Sequence, residues 1–305
     1  MNNNTHNSEE KNVYKIVTAQ ILDNLINGNI PWRDVLLHKK ADKPAYHNRF
    51  SGTGYSLLNT MLLGEPGAYA TWNQIKEHGG SIKPGAKSKM VTYWCVFIPK
   101  DKKKEAEELQ AQGKSIEHLK QQALKYYRVF NMRDVEGIAA EELPAASVQE
   151  KAQAPTDIAD MVISDYRHNE GIDLVDFKGD EPLYDTERDC VAIPEKDRFL
   201  LEEDWFASVF TGLVHSTAAK GRCDRESELK KMSEGNISPK EELIAEIGSS
   251  MILTACGLKR HETHEQISAV CEKIINLLNR DYRLIVYASS GAEKAADYIL
   301  GEFAA

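Results

Sequence analysis

A polar stretch near the middle of the chain limits the folds that these 305 residues can adopt. Residues 139–155 are rich in Ala, Glu, Gln and Pro and show no apolar period, which is typical of a linker. The chain is long enough for two domains that each bury a core. We therefore predict domains at 13–138 and 157–305, joined by a linker at 139–156 and preceded by a disordered tail at 1–12.

The two halves of the chain carry opposite net charge. Residues 1–135 contain 20 Lys and Arg against 13 Asp and Glu, which gives +7. Residues 136–305 contain 18 against 34, which gives −16, and the two values sum to the −9 of the whole chain. A basic half joined to an acidic half predicts different partners for the two halves.

Composition places the chain among soluble globular proteins. Hydrophobic residues make up 42% and charged residues 28% of the sequence. No apolar run approaches the roughly 20 residues of a membrane helix, and the polar N-terminus lacks the apolar core of a signal peptide. The five cysteines are scattered and never spaced C-x-x-C, which argues against disulfides and a Cys-type zinc site. We expect a cytoplasmic protein without a membrane partner.

Apolar periodicity predicts an α+β fold in the first half. Helices are predicted at 13–26, 56–63 and 71–78, and strands at 90–98 and 127–132. A charged helical insertion is predicted at 100–126, between the two strands.

The second half is predicted to be mostly helical with a small sheet, so the whole chain is an α+β protein of two domains. Short strands are predicted at 172–177, 183–185 and 190–193, and helices at 203–217, 239–254, 264–278 and 291–300.

The first half combines lysines with aromatic and amide residues. Lysines attract phosphates, and aromatic faces stack on unpaired bases, so the combination favours single-stranded over duplex DNA. Each Trp could instead be a core residue. The candidate DNA-binding residues are Trp32, Arg33, Asn48, Tyr55, Asn59, Trp72, Gln74, Lys76, Lys83, Lys87, Lys89, Trp94 and Asn131.

Five ordered sequence blocks carry a family resemblance. They lie at 30–33 (IPWR), 54–59 (GYSLLN), 69–74 (YATWNQ), 79–85 (GGSIKPG) and 129–131 (VFN). Together they resemble the N-terminal single-stranded-DNA-binding domain of ArdC-type antirestriction proteins. The resemblance implies single-stranded DNA binding and a plasmid or conjugative-element context.

In the second half, residues 184–194, the predicted helix that ends at 217, and residues 241–248 carry a further resemblance. From about 157 to 302, this half resembles the zincin-like metallopeptidase domain of the same family. In the H-E-x-x-H motif, two histidines on one helix face bind zinc and the glutamate acts as general base. Residues 211–215 of this chain read Thr-Gly-Leu-Val-His at that place. The resemblance implies His215 as a zinc ligand, Glu242 as the third ligand and Glu246 as a residue that supports the ligands.

Two residues that the chemistry requires are missing. Thr211 stands where the family has its first zinc histidine, and Gly212 stands where it has the catalytic glutamate. His215 and Glu242 alone are too few for a tight tetrahedral site. We therefore predict no catalytic residue and no resident cofactor, with zinc bound weakly if at all. A buried His215 bonded to Glu242 or Glu246 is the structural alternative.

Three functions remain open on the sequence. The leading hypothesis is a single-stranded DNA-binding protein with a degenerate metallopeptidase-like domain as scaffold, and with restriction or conjugation proteins as candidate partners. The second is a zinc metallopeptidase with an unorthodox site, in which His261, His264 or Cys256 would have to complete the metal shell. The third is an acidic DNA mimic that inhibits restriction enzymes through the −16 half.

Overall fold

The computed structural model describes residues 12–33, 44–139 and 154–301. In the first half, the structure has four helices and six strands in these ranges. The helices are α1 (Val13–Ile26), α2 (Leu57–Leu63), α3 (Trp72–Glu77) and α4 (Lys103–Ala111), and the strands are β1 (Tyr46–Asn48), β2 (Gly67–Ala70), β3 (Ser81–Ile82), β4 (Lys89–Phe97), β5 (Gln121–Asn131) and β6 (Val135–Glu136).

A four-stranded mixed sheet organises the first half. Its strand order is β1-β2-β5-β4, so the long strand β4 lies at one edge. Strands β4 and β5 form an antiparallel hairpin whose connection contains α4. Strand β1 pairs with β2 in parallel, and β3 and β6 form a separate antiparallel pair.

The second half packs helices around a three-stranded sheet. Its helices are α5 (Pro155–Glu170), α6 (Glu202–Ser216), α7 (Glu226–Ser233), α8 (Pro239–Ala255), α9 (His264–Arg280) and α10 (Leu284–Leu300). Its strands are β7 (Asp173–Phe177), β8 (Leu183–Asp185) and β9 (Cys190–Pro194), in the order β7-β9-β8. Helix α6 lies against β9 and α8, and α8 lies against α10. This packing brings the 211–215 segment and the start of α8 together.

The largest hydrophobic core crosses the predicted domain boundary. One buried cluster contains residues of both halves. From the first half it includes Val17 and Ile21 of α1, Trp32 of the following loop and Leu57 of α2, and from the second half it includes residues of all the helices α5 to α10. Helix α1 packs against α9 as well as α2. Burial of this apolar surface stabilises the contact between the halves, at roughly 25 cal/mol per Å². The predicted domain limits, 13–138 and 157–305, remain a prediction.

Most predicted elements are confirmed. Helix α1 has the predicted bounds, because Asn12 caps its N-terminus through a side-chain bond to the amide of Tyr14 and the apolar residues keep a helical period. Asn12 is the last residue of the predicted tail. The remaining tail residues and most of the predicted linker lie outside the described residues.

Several boundaries are wrong, and the errors have physical causes. Strand β5 begins at Gln121 rather than at 127, because its first residues are polar and lack a strand signal. Helix α10 begins at Leu284 rather than at 291, because its first turns are buried on nearly every side and show no amphipathic period. The short strands β1, β2, β3 and β6 are absent from the sequence prediction, since two to four residues carry little periodicity. Helices α5 and α7 are also absent from it.

Candidate functional site

One face of the sheet carries an exposed tyrosine pair beside basic residues. Strand side chains alternate between faces, and directly paired residues share a face. Tyr93 pairs with Lys125, and Val91 pairs with Tyr127, so Tyr93, Lys125 and Tyr127 lie on one side. The rings of Tyr93 and Tyr127 are 5.7 Å apart, and the residues are 44% and 38% exposed. With Lys89 on the same face, these residues define the aromatic sheet face.

A second exposed aromatic residue lies on α3, where its neighbour is also basic. Trp72 is 50% exposed, and the Lys76 ammonium lies 4.2 Å from the centroid of its ring. Lys87 is exposed, and Lys83 is exposed while donating to the carbonyl of Arg133 at 2.7 Å. Trp72, Lys76, Lys83 and Lys87 therefore keep accessible surface and remain candidates for contact with DNA.

Trp32 and Arg33 point away from the sheet into the second half. Trp32 is 0% exposed, and its indole N–H approaches the Glu246 carboxylate at 3.5 Å. Arg33 donates to the same carboxylate at 2.9 Å and also pairs with Glu262. The sequence prediction that these two residues contact DNA is corrected, because a buried indole offers no face for stacking and the guanidinium is already paired with carboxylates.

The amide residues predicted to contact DNA serve the fold instead. Asn48 and Gln74 form reciprocal amide bonds at 3.1 and 3.3 Å. Oδ1 of Asn48 also accepts from the backbone N–H groups of Phe50 and Ser51. Oε1 of Gln74 accepts from the backbone N–H of Thr71 as part of a capping box. These two side chains hold the loop after β1 against the start of α3.

Asn59 and Asn131 are likewise buried and satisfied by backbone groups. Asn59 accepts from the amide of Thr92 at 2.7 Å and donates to its carbonyl at 2.9 Å, which fixes α2 to β4. Asn131 accepts from the amide of Arg133 at 3.1 Å. Neither amide is available to read a base edge in this structure.

Tyr55 is buried beneath the aromatic sheet face. It packs edge-on against Tyr69 with ring centroids 6.2 Å apart. Its hydroxyl lies near Asn48 and Tyr127, yet no described residue meets it at hydrogen-bonding geometry. Burial raises the pKa of this hydroxyl, so Tyr55 stays neutral. It supports the exposed Tyr127 from below and presents no open face.

Trp94 lies on the opposite side of the same edge strand. It is 42% exposed and packs near Tyr14 of α1 and Tyr287 of α10, at centroid distances of 6.4 and 6.1 Å. Alternation along β4 places neighbouring residues on opposite faces, so the sequence already contains the signal that separates Trp94 from Tyr93. The residue types of Tyr127 and Lys125 do not mark them as DNA contacts. The β4–β5 register shows that they share a face with Tyr93.

The histidine that survives from the zinc motif is oriented by a buried ion pair. His215 is 4% exposed, and its Nδ1 lies 3.1 Å from the Glu241 carboxylate, which is 0% exposed. Because an ionised carboxylate only accepts, Nδ1 is the donor in this contact. The alternative prediction that His215 bonds to Glu242 or Glu246 is wrong, since the partner is Glu241.

Arg225 completes this buried cluster. Its guanidinium donates to both Glu241 oxygens, at 2.8 and 2.6 Å, and to the Thr217 hydroxyl at 2.8 Å. Burial acts to raise the pKa of Glu241, but the bonds from His215 and Arg225 outweigh it and lower that pKa below its ordinary value. Glu241 is therefore ionised and paired at neutral pH.

The two altered motif positions are adapted to their present residues. The Thr211 hydroxyl donates to the carbonyl of Ala207 at 2.8 Å, within its own helix. A Cβ added at Gly212 would lie 2.4 Å from Cγ1 of Val191 and 3.2 Å from Cδ1 of Ile193. The space next to Gly212 is therefore filled by strand β9, and a glutamate does not fit there without displacing it.

The two glutamates predicted to support zinc have basic partners from this chain. Glu242 pairs with Lys273 of α9. Glu246 accepts from Arg33 and lies 3.6 Å from Arg260. Burial acts to raise the pKa of Glu246, but Arg260 and Arg33 lower it below its ordinary value. The carboxylates are thus compensated by side-chain cations.

A cleft of about 470 Å³ lies at the former zinc-motif positions. Its lining includes Thr211, His215, Glu242 and Glu246, and it is here called the His215 cleft. Across residues 12–33, 44–139 and 154–301, no three His, Cys, Asp or Glu side chains are grouped to hold a metal ion. His261 reaches the cleft rim, but the described residues provide no rebuilt metal shell. Burial raises the pKa of the Cys256 thiol to about 12, so this thiol stays protonated. The residues present do not fit a tetrahedral zinc site.

Within the described part of the chain, no helix combines the length and apolarity needed to cross a membrane.

Comparison with known proteins assigns a family relationship to each half. The family described as the N-terminal domain of anti-restriction factor ArdC matches residues 11–130, and the family of zincin-like metallopeptidases matches residues 163–291. Two DNA primases named TraC from Escherichia coli are 25% and 24% identical to the chain, each over 95% of it. The chain spans only 20% and 27% of their lengths. An uncharacterized protein of Sinorhizobium fredii is 23% identical over 94% of this chain and 91% of its own.

A solved structure covers both halves together. The crystal structure of the metal-free antirestriction protein ArdC from plasmid R388 has a TM-score of 0.63 and 26% identity, over 96% of this chain and 97% of that one. The Mn(II)-bound structure of the same protein has a TM-score of 0.62 at 24% identity, over 96% of this chain and 98% of that one, and shows the shared fold. With both domains matched in order, the chain matches the ArdC-type antirestriction proteins over both of its halves.

Proposed function

We propose that this protein binds single-stranded DNA on the aromatic sheet face and contributes to the antirestriction function of its family. The observation that carries the proposal is the exposed Tyr93–Tyr127 pair, flanked on the same face by Lys125 and Lys89. Tyrosine rings stack on bases of any sequence, and lysines follow the phosphate backbone. Because only unpaired bases expose their faces, this surface favours single strands.

The basic residues around the sheet support the same ligand. Lys87 lies two residues before β4, and Trp72 with Lys76 presents a second exposed ring beside a cation. One relative is named DNA primase TraC, and a solved structure similar to this chain is that of the antirestriction protein ArdC from plasmid R388. We infer a related setting for this chain, on a plasmid or conjugative element.

Binding can be tested by fluorescence anisotropy with a single-stranded oligonucleotide and a duplex of the same sequence. We expect preference for the single strand, with affinity that falls steeply between about 50 and 200 mM salt. Tyr93→Ala and Tyr127→Ala should each weaken binding by roughly fivefold or more, the lower end of the stacking contribution of one base. Lys125→Gln should weaken binding and reduce the salt dependence.

The matched control is Lys178→Gln, which makes the same charge change on an exposed residue of the other half. It should leave affinity unchanged, whereas the stacking variants should keep the wild-type melting temperature because both rings are exposed. Equal affinity for duplex and single strand, or no effect of Tyr93→Ala and Tyr127→Ala together, would contradict the proposal.

We propose that the zincin-like half acts as a non-catalytic scaffold rather than as a peptidase. The carboxylate that would activate water is absent at Gly212, and Val191 and Ile193 occupy the space for it. His215 and Glu242 offer at most a two-ligand, weak metal contact. Metal analysis after purification at neutral pH should find zinc and manganese far below one ion per chain. Stoichiometric metal together with peptide cleavage would revive the peptidase hypothesis.

A further inference from the structure

Three aromatic rings from both halves of the molecule meet beyond the edge strand of the sheet. Tyr14 of α1, Trp94 of β4 and Tyr287 of α10 have mutual centroid distances of 6.1 to 6.4 Å. The two tyrosine hydroxyls lie 3.3 Å apart. Trp94 and Tyr287 are 42% and 44% exposed. These three residues form the junction aromatic cluster.

The cluster is neutral itself and has cations around it. Burial and the bond to Tyr287 raise the pKa of Tyr14 to about 12, so its phenol does not repel phosphate at neutral pH. Arg283, the N-cap of α10, and Tyr287 and Lys294 within this helix are all exposed. Their spacing of four and seven residues places them on one helix face. Arg283 also pairs with Asp281 at 3.3 Å, an exposed contact that contributes little in water.

The position of β4 connects this cluster with the aromatic sheet face. Strand β4 is the edge strand, and its neighbouring residues Tyr93 and Trp94 project to opposite sides of it. Both residues are about half exposed, as are the following Val96 and Phe97. A chain lying on Tyr93 and Tyr127 therefore reaches Trp94 by passing over one strand edge.

We propose that the junction aromatic cluster is a second stacking site for the same DNA strand, with Tyr287 and Lys294 of the zincin-like half as part of it. The inference rests on the proposed single-stranded DNA binding and extends it across the sheet edge. Trp94 and Tyr287 would stack on unpaired bases, while Arg283 and Lys294 would contact the adjoining phosphates. On this view the zincin-like half takes part directly in DNA binding.

A single strand suits this surface better than a protein helix does. The cluster is a set of separate rings rather than a continuous apolar groove. Arg283 lies close enough to interact with Tyr14 and Tyr287, and Lys294 follows Tyr287 by two turns of α10. Aromatic rings that alternate with cations match the repeating bases and phosphates of a nucleic acid. The exposed rings also offer π-faces that require no sequence-specific hydrogen bond.

The test compares oligonucleotides of about 8 and about 24 thymidines, since the shorter spans one stacking surface and the longer can span two. Tyr287→Ala should weaken binding of the longer oligonucleotide by about fivefold or more and leave the shorter one unchanged. Tyr287→Phe keeps the ring and should bind both as wild type does. Tyr93→Ala should weaken both lengths, because it removes the first stacking surface.

A second variant guards against a purely structural effect of Tyr287→Ala. Lys294→Gln should weaken binding of the longer oligonucleotide alone and lower the slope of log affinity against log salt concentration by about one. Lys178→Gln should change neither the affinity nor this slope. If Tyr287→Ala and Lys294→Gln bind both lengths as wild type does while Tyr93→Ala weakens both, the junction site is refuted and the proposed function stands. If the wild-type protein does not bind either single-stranded oligonucleotide, both proposals fail.

Discussion

The aromatic sheet face and the His215 cleft differ in where their functional groups find partners. On the sheet, Tyr93 and Tyr127 keep exposed ring surface, and the neighbouring cations face solvent. In the cleft, Glu242 is paired with Lys273 and Glu246 with Arg33, and beside it the buried Glu241 is paired with Arg225. The sheet face therefore keeps ring and cation surface open to solvent, whereas the carboxylates at the cleft are paired within the chain.

The cleft differs from a metal site in what compensates the charge of its carboxylates. A metal ion normally compensates the carboxylates and histidines that surround it. Here Arg225, Arg33 and Arg260 compensate Glu241 and Glu246 instead. Variants in the cleft should thus change stability, and variants on the sheet should change DNA binding.

The largest effect is expected from restoring the missing glutamate. Gly212→Glu should lower the free energy of unfolding by about 4 kcal/mol or more, because overpacking against Val191 adds to the burial of a charge. Chemical denaturation measures this change. Gly212→Ala in a Val191→Ala background should be far milder than Gly212→Ala alone, since the smaller strand residue makes room. Equal costs in the two backgrounds would show that the contact with β9 is not the cause.

A slightly smaller effect is expected at the buried ion pair. Arg225→Ala should destabilise the fold by about 3–5 kcal/mol, because Glu241 would remain buried with only His215 as partner. Arg225→Lys should restore part of the lost stability, because the ammonium keeps the positive charge beside Glu241. It should not restore all of it, because an ammonium cannot make the bidentate contact of the guanidinium. A loss below about 1 kcal/mol, typical of an exposed pair, would mean that the Arg225–Glu241 contact does not form as described.

The same cluster predicts an acid-sensitive fold. The folded-state pKa of Glu241 lies below its ordinary value, so its ionised form stabilises the fold at higher pH. That contribution is present above the unfolded pKa of about 4.3 and is lost as pH falls through the lowered folded pKa. Thermal melts between about pH 5 and pH 2 should show Glu241→Gln losing less stability on acidification than wild type. An identical slope for both proteins would contradict the lowered pKa.

An intermediate effect is expected where the first half joins the second. Arg33→Ala should cost about 1–3 kcal/mol, because Glu246 and Glu262 lose a partly buried donor while Arg260 remains near Glu246. DNA affinity should stay at the wild-type level, since Arg33 lies at the cleft and not on the sheet face. Reduced affinity without a loss of stability would restore Arg33 as a DNA contact and weaken the division between the two regions.

The sequence predicts elements better than it predicts partners. Helix α1 follows from its cap and apolar period, and the β4 segment from its β-branched and aromatic residues. The assignment of His215 to Glu242 or Glu246 fails because neighbouring helix positions differ by about 100°, so the packing of α6 on α8 selects Glu241. Asn59 resembles a DNA contact by residue type, but only the approach of β4 shows that it binds backbone.

The smallest effect should follow metal removal, and it separates the two regions most directly. If side-chain cations replace a metal in the His215 cleft, a strong chelator should change the melting temperature by less than about 1 °C, because no binding free energy is lost. Added zinc or manganese should raise it no more than in His215→Gln, the variant that removes the remaining imidazole. A metal-dependent rise that His215→Gln abolishes would show that this imidazole still contributes to an occupied metal site. In that case the cleft, like the sheet face, would be a place where the protein receives a ligand.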